Sequence, residues 1–496
     1  MRNLAWALVA VSVAACGEGP YCDRAGAEAA LMAAAPGDTV ELGACEIQGP
    51  LRVPPGVTLA GTTGTVVVAP VESGGIVGLG GTSPTVVRDL RVVVQGRIGI
   101  LFRGGGAARV SGVTIEARHG IALGASELAS LELSNVSLEG PVTADTASDP
   151  RWVRVLPAPV EPAECPGCDC TPGMLDEDGE RVCDAAGQWA TWTATYGLVL
   201  TRVAAATLTD VDARGFAAWG ALLTDSGVTW DGGGVHDTLG IGVRQVGGAL
   251  AMTDVVAERT VGGLRGDRPY AIHATDGARV EGTRVTVSDN ERYGVLLAGA
   301  SGRLVDLVAE GNGDAALWVS ETEDFELSGT GTQLVDNDFA GAVIVASSGV
   351  RIADGAIDGT REAERPLGMI GLLRVGDGVQ IAETRGPITL ADLALAGNDR
   401  AGLLVDLGAS GGGDVTFANV AVDASGTALG AVAGRPAATG ALTVDAPAGW
   451  DTGITRNPAA SSNDPAFTGT ISVVPEHVPS PIFDPGEVLR VVAPMF

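Results

Sequence analysis

Four residues in this sequence are of types that could act on a carbohydrate: Asp225, Arg244, His273 and Asp276. Each falls in or just after a short apolar run, and such runs recur along the chain. Asp225 and Asp276 are the sixth residues of runs that start at Gly220 and Ala271. If the runs are strands stacked as successive turns, two turns at about 4.8 Å each set these carboxyls about 9.6 Å apart. That is near the upper spacing for the acid and base of an inverting glycoside hydrolase. Arg244, one turn below His273, is placed to pair an acidic sugar's carboxylate. Tyr293 and Trp318, on the next turns up, offer flat faces for a sugar ring, and Trp189 and Trp192 offer two more in a separate segment. The plainer reading is a solvated polar patch around a satisfied histidine. It is preferred, because a catalytic group is marked by a cleft or a displaced pKa, and neither is visible in a sequence.

The strands that would position these residues show as a repeat. Runs such as "GLVL" at 197, "GALL" at 220, "GVLL" at 294 and "GLLV" at 402 mostly recur at intervals of 20 to 31 residues. A second strand follows each, as in "ELSNVSLE", "TLTDVDAR" and "AMTDVVAE". Alternation within each strand marks one buried and one exposed face, and a single unit cannot bury its face alone. The units must therefore stack. In the first strand the second and fourth positions are expected to point inward, as Ile241 and Val243 or Ile272 and Ala274 do. The third is expected to point outward: Val199, Leu222, His273, Leu296, Trp318, Ile344. An outward column this apolar must be covered or bound. The expected cover is the segment 141–196, with Trp152, Trp189 and Trp192, because Gly120 to Gly197 spans 77 residues and breaks the spacing. Asp289–Asn290, Asp336–Asn337 and Asn398–Asp399 stand before the same strand in their turns. With Asp89, Asn135, Asp210, Asp254, Asp392 and Asn419 they read as corners, since Asp and Asn tolerate left-handed backbone and cap turns.

Composition bounds the partners. All 31 basic residues are Arg against 60 acidic ones, a net charge of −29, which repels phosphate backbones and excludes nucleic acid as a partner. Calcium is the one cofactor the acidity would tolerate, with Asp176, Asp178 and Glu180 in one loop. They lack the spacing of a helix-loop-helix calcium site, so no metal or cofactor is assigned.

At the N-terminus, "MRN" precedes the apolar "LAWALVAVSVAA" and then Cys16. This order resembles the bacterial lipobox, which implies lipidation of Cys16 and anchoring to a membrane of the envelope. Six cysteines then remain, an even number that favours disulfides in an exported protein. Cys22 and Cys45 form the natural N-terminal pair. Cys165, Cys168, Cys170 and Cys183 cluster in the 141–196 segment. Four thiolates also suit zinc, but their spacing is not that of paired knuckles, and disulfides are favoured.

Before the repeat, "GAEAALMAAAPGDTVELGACEIQGPLRVPPGVTLAG" reads as a short amphipathic helix, a turn and strands. This layout, with the repeat after it, resembles the right-handed parallel β-helix proteins of the pectin lyase-like superfamily. The resemblance implies an all-β solenoid whose N-terminal helix plugs the open end. The expected division is a signal peptide over 1–15, anchor, tether and cap over 16–60, the coil over 61–435 with its insertion at 141–196, and a C-terminal cap or added strands over 436–496. The resemblance implies enzymes that act on acidic polysaccharides, lyases with calcium-binding carboxylates and an Arg or Lys base, and hydrolases with paired Asp, a Gly-His-Gly turn and an Arg-x-Lys element. Here there is no Asp-Asp pair, no Lys, and only His119–Gly120 of the turn; an Arg-based lyase stays open. The expectation is therefore a monomeric, non-enzymatic envelope protein that binds a polysaccharide or an envelope protein. The alternative is a lyase, glycoside hydrolase or epimerase with a divergent site.

Overall fold

Strands with alternate burial need a partner on every turn, and this chain supplies one by coiling. The computed structural model is a right-handed parallel β-solenoid closed at its N-terminal end by one helix. It describes residues 20–144, 195–366, 372–406 and 415–423, apart from 72, 263–268, 383 and 400, with short strands at 153–155, 181–183, 189–191 and 440–445. One wall is a 14-stranded sheet running from Leu51–Val53 to Ala401–Asp406. All its pairings are parallel except that of Ala363–Pro366, which turns back antiparallel on the start of Leu372–Ala382. The other walls share a 22-stranded sheet, in which long strands bend to pair on both sides of a corner. Ala107–Ala117 pairs Thr85–Arg88 before its bend and Arg91–Val94 after it. Val92, Ile100, Leu208, Val243, Ile272 and Leu390 sit inside the coil with no accessible surface.

The cap begins at Asp23, whose carboxylate accepts a hydrogen bond from the Gly26 N–H at 2.7 Å. Helix Arg24–Ala33 turns Ala27 and Leu31 into the core and leaves Met32 exposed. The Cys22–Cys45 disulfide is formed. Coil pairing starts at Thr39–Glu41, which lies beside Thr58–Ala60. Cys16, the 1–15 segment and Cys165, Cys168 and Cys170 lie outside the described residues, as does most of 436–496; Cys183 ends the strand Arg181–Cys183, which pairs antiparallel with Trp189–Thr191.

Each turn bends three times, and the bends are where Asp and Asn recur. Asp89, Asn135, Asp210, Asp254, Asp392 and Asn419 all take φ between 50° and 56°. Asp225 and Asp276, at the end of the 14-stranded wall, are left-handed too, at φ 48° and 57°, with Gly247 between them at φ 61°. A side chain at Gly247 would strain that backbone and would meet the Asp225 carboxylate. Asp289 and Asp336 form part of a third column.

The residue after that third corner has a different task. Asn290, Asn312, Asn337 and Asn398 point into the coil and are buried. The Asn290 amide donates to Asn312 Oδ1 at 2.7 Å, and the Asn312 amide donates to Asn337 Oδ1 at 2.8 Å. Thr260 joins below, donating to Asn290 Oδ1 at 2.8 Å, and the Thr360 N–H donates to Asn398 Oδ1 at 3.2 Å above. The ladder satisfies buried amides only because successive turns repeat it. Asn312→Leu removes the acceptor of Asn290, and an unsatisfied buried group costs about 1–3 kcal/mol. The variant is expected to show that loss as a lower urea midpoint.

Candidate functional site

The outer face of the 14-stranded wall carries two columns of side chains. One runs Ile98, Ile121, Tyr196, Trp219, Ile241, Tyr270, Tyr293 in register. The other runs Val199, Leu222, Arg244, His273, Leu296, Trp318, Val343. Parallel pairing puts like positions on adjacent turns in contact. The aromatic rings accordingly form a ladder. Tyr196 and Trp219 meet edge to face at 5.3 Å, Tyr270 and His273 are 4.8 Å apart, Tyr270 stacks on Tyr293 at 5.4 Å, and Tyr293 meets Trp318 edge-on at 5.4 Å. Two guanidinium groups flank it: Arg244 lies over Trp219 at 5.3 Å, and Arg292 over Tyr293 at 5.3 Å. Arg292 is also paired to the buried Asp314 at 2.5 Å.

The two halves of this face differ. Ile98, Leu101, Ile121, Tyr196, Val199, Trp219, Leu222 and Arg244 are partly exposed. From Ile241 to Val345 the face is buried and forms a second apolar cluster outside the coil, to which Tyr270, Tyr293, Leu296, Trp318 and Phe339 belong. Ala363 and Val375, on the antiparallel hairpin, belong to the same cluster. The apolar outward column is thus covered over its C-terminal half. Whether the 141–196 segment shares in that cover lies outside the described residues, as do Trp152, Trp192, Asp176, Asp178 and Glu180; Trp189 opens the strand Trp189–Thr191.

Of the residues singled out from sequence, Arg244, His273, Tyr293 and Trp318 come together on this face. Asp225 and Asp276 stand at its edge, exposed, in the corner column and two turns apart, with Gly247 on the turn between. Two inward–outward assignments need correction. Ile241 faces outward beside Trp219, and Ile344 faces inward while Val343 takes the outward place. The Ile344 error is a one-residue slip in a short run, which exchanges the faces; Ile241 lies two residues before Val243, which does face inward, so strict alternation breaks between them.

His273 is 1% exposed. Burial, reinforced by the nearby Arg244 charge, pushes it down to about 4, while Asp276 pulls weakly the other way. At neutral pH it is an uncharged ring in an aromatic stack.

A second polar cluster was missed. His236 Nδ1 lies 3.0 Å from Glu258 Oε1, and its Nε2 lies 3.5 Å from Asp212 Oδ1. Arg259 grips the buried Asp237 through Nε at 2.6 Å and Nη2 at 3.2 Å, and also pairs with Glu258. The His236 contact, with Arg259, holds the Glu258 carboxyl below its usual range. The signal was present: Arg214, His236 and Glu258 are 22 residues apart and occupy one column. Among the described residues no group of three or more side chains is set to ligate a metal, and no helix is long and apolar enough to cross a membrane.

No family model matches the sequence, and no curated protein does. Among solved structures, tailspike protein 3 of bacteriophage CBA120 is similar over 80% of this chain at 12% identity and a TM-score of 0.43. The chain spans 58% of that tailspike, less than two thirds of its length. The periplasmic alginate epimerase AlgG is similar over 83% of this chain and 77% of its own, at 9% identity and a TM-score of 0.33. The A-module of the Azotobacter vinelandii mannuronan C-5 epimerase AlgE4 is similar over 92% and 97%, at 17% identity and a TM-score of 0.28. None of these likenesses bears on the residues of the outer face.

The depressed His273 pKa has a measurable consequence. The unfolded histidine takes up a proton below about 6.5 and the folded one only below about 4, so stability falls as pH drops through that window. The full difference is about 3 kcal/mol. His273→Phe keeps a flat ring in the stack. Its urea midpoint should fall less than that of the parent between pH 7 and pH 4.

Proposed function

We propose that this chain is a non-enzymatic protein of the bacterial envelope, held by lipid on Cys16, that binds an extended glycan along the outer face of the 14-stranded wall. One observation carries the reading: a ladder of aromatic rings in register with the turns, whose Tyr196–Trp219 end is partly exposed. Sugar rings present C–H faces that pack on aromatic faces, and turns about 4.8 Å apart repeat on nearly the scale of a sugar unit. The apolar neighbours Val199 and Leu222 extend the platform. Catalysis needs an acid and a base converging on one bond, in a site that excludes water. Here His273 is buried and the two aspartates lie on an exposed edge.

A second reading is favoured by a single geometric point. Asp225 and Asp276, two turns apart, are separated by about 9.6 Å along the coil, near the range of an inverting pair. On that reading Asp225 and Asp276 are acid and base of a glycan-cleaving enzyme.

The test separates the two. The protein is incubated with neutral and acidic polysaccharides, with and without calcium, and polymer retention and product mass are followed together. Retention without new oligosaccharides is expected. Trp219→Ala should weaken retention about tenfold, or about 1.4 kcal/mol, with the melting temperature little changed. New products that vanish in Asp225→Ala and Asp276→Ala would establish the enzyme instead.

A further inference from the structure

The charges on the outer face determine which glycan it can take, so this inference rests on the glycan reading above. The column that ends in Arg244 can be followed back turn by turn through Leu222, Val199, Gly124, Leu101 and Val77 to Arg52. Its cations stand only at the two ends. Six turns separate them, about 29 Å. The companion column over the same turns is Ile98, Ile121, Tyr196 and Trp219, which carry no charge. Exposed Glu127, Asp225 and Asp276 stand along one edge of the face, with Arg202 paired to Glu127 and Arg103 two residues beyond Leu101, and the whole chain carries −29.

Arg244 differs from the arginines around it. Arg202 is paired with Glu127, Arg259 with Asp237, Arg284 with Asp254 and Arg292 with Asp314. Arg244 has no carboxylate partner among the described residues, and its Nε–H is shielded from solvent with no acceptor. A partly exposed guanidinium held over Trp219 with no carboxylate partner is a ready partner for an oxoanion on a ring that stacks there.

We propose that the face takes a mostly neutral glycan bearing isolated anionic groups, carboxylate or sulfate, one of which docks on Arg244 while its ring lies on Trp219. A dense polyanion fits poorly. It would set charges over Leu222 and Val199, where neither column holds a cation, beside the exposed Asp225 and Asp276 that repel them.

Retention is measured on the full chain with four probes: gellan, which carries a single glucuronate per repeat; carboxyl-reduced gellan; sparsely sulfated dextran; and polygalacturonate. Gellan or sparsely sulfated dextran should be retained at least tenfold more tightly than carboxyl-reduced gellan, and polygalacturonate less tightly than either. Arg244→Gln should abolish the preference for the charged polymers while leaving weak retention of the reduced one. Equal retention of gellan and its reduced form, with no preference for sulfated dextran, overturns the inference and leaves the glycan reading standing. Tighter retention of polygalacturonate also overturns it. Failure to retain any of the four overturns the glycan reading and this inference together. Because carboxyl reduction alters the ligand and not the protein, the test holds even if Arg244→Gln folds poorly.

Discussion

Parallel pairing between successive turns is the constraint on which the rest depends. In this coil a residue's nearest neighbour across the sheet is the residue one turn away, so each position must be compatible with a copy of itself. Apolar side chains meet that condition inside the coil at every turn. A buried polar side chain meets it only if it can both donate and accept. Asparagine can, and the Asn290–Asn312–Asn337 ladder results. Aromatic rings meet it by stacking, as Tyr270 and Tyr293 do. Charges meet it by alternating sign, as at the successive corners Asp254, Arg284 and Asp306.

The same constraint explains how much could be read in advance. The coil, its helical cap and the aspartate corners follow from local pattern, because each needs only the backbone preferences of a few residues. "SDNERYGVLL" illustrates the limit. Its Asp289 is the corner expected from turn chemistry. Its Asn290 is a member of an internal ladder, and nothing local distinguishes the two roles. Only the register with Asn312 and Asn337 does so, and that register is a long-range property.

The site was partly legible for the same reason. Arg244, His273 and Trp318 fall on one face because their runs could be aligned by eye. Ile344 was assigned to the wrong face because a run of Ala, Val and Ile aligns equally well one place along, and Ile241 because alternation breaks between it and the inward Val243. That the apolar outward column would be covered was legible; what covers its C-terminal half was not. The cover depends in part on a hairpin, Ala363–Pro366 with Leu372–Ala382, that the repeat pattern does not announce. The His236 cluster needed only the arithmetic of the turn length, which shows what careful register can add to motif searching.

The N-terminal disulfide bears on how force would pass through the molecule. Tyr21 pairs with Leu42, and Cys22 is bonded to Cys45 at the start of the Glu46–Gln48 strand. The capping helix lies wholly within the loop that this bond closes. Tension on the residues before Cys22 therefore enters the coil directly at Cys45 through a covalent link. The helix is bypassed, and the plug over the open end bears no load while the tether is pulled.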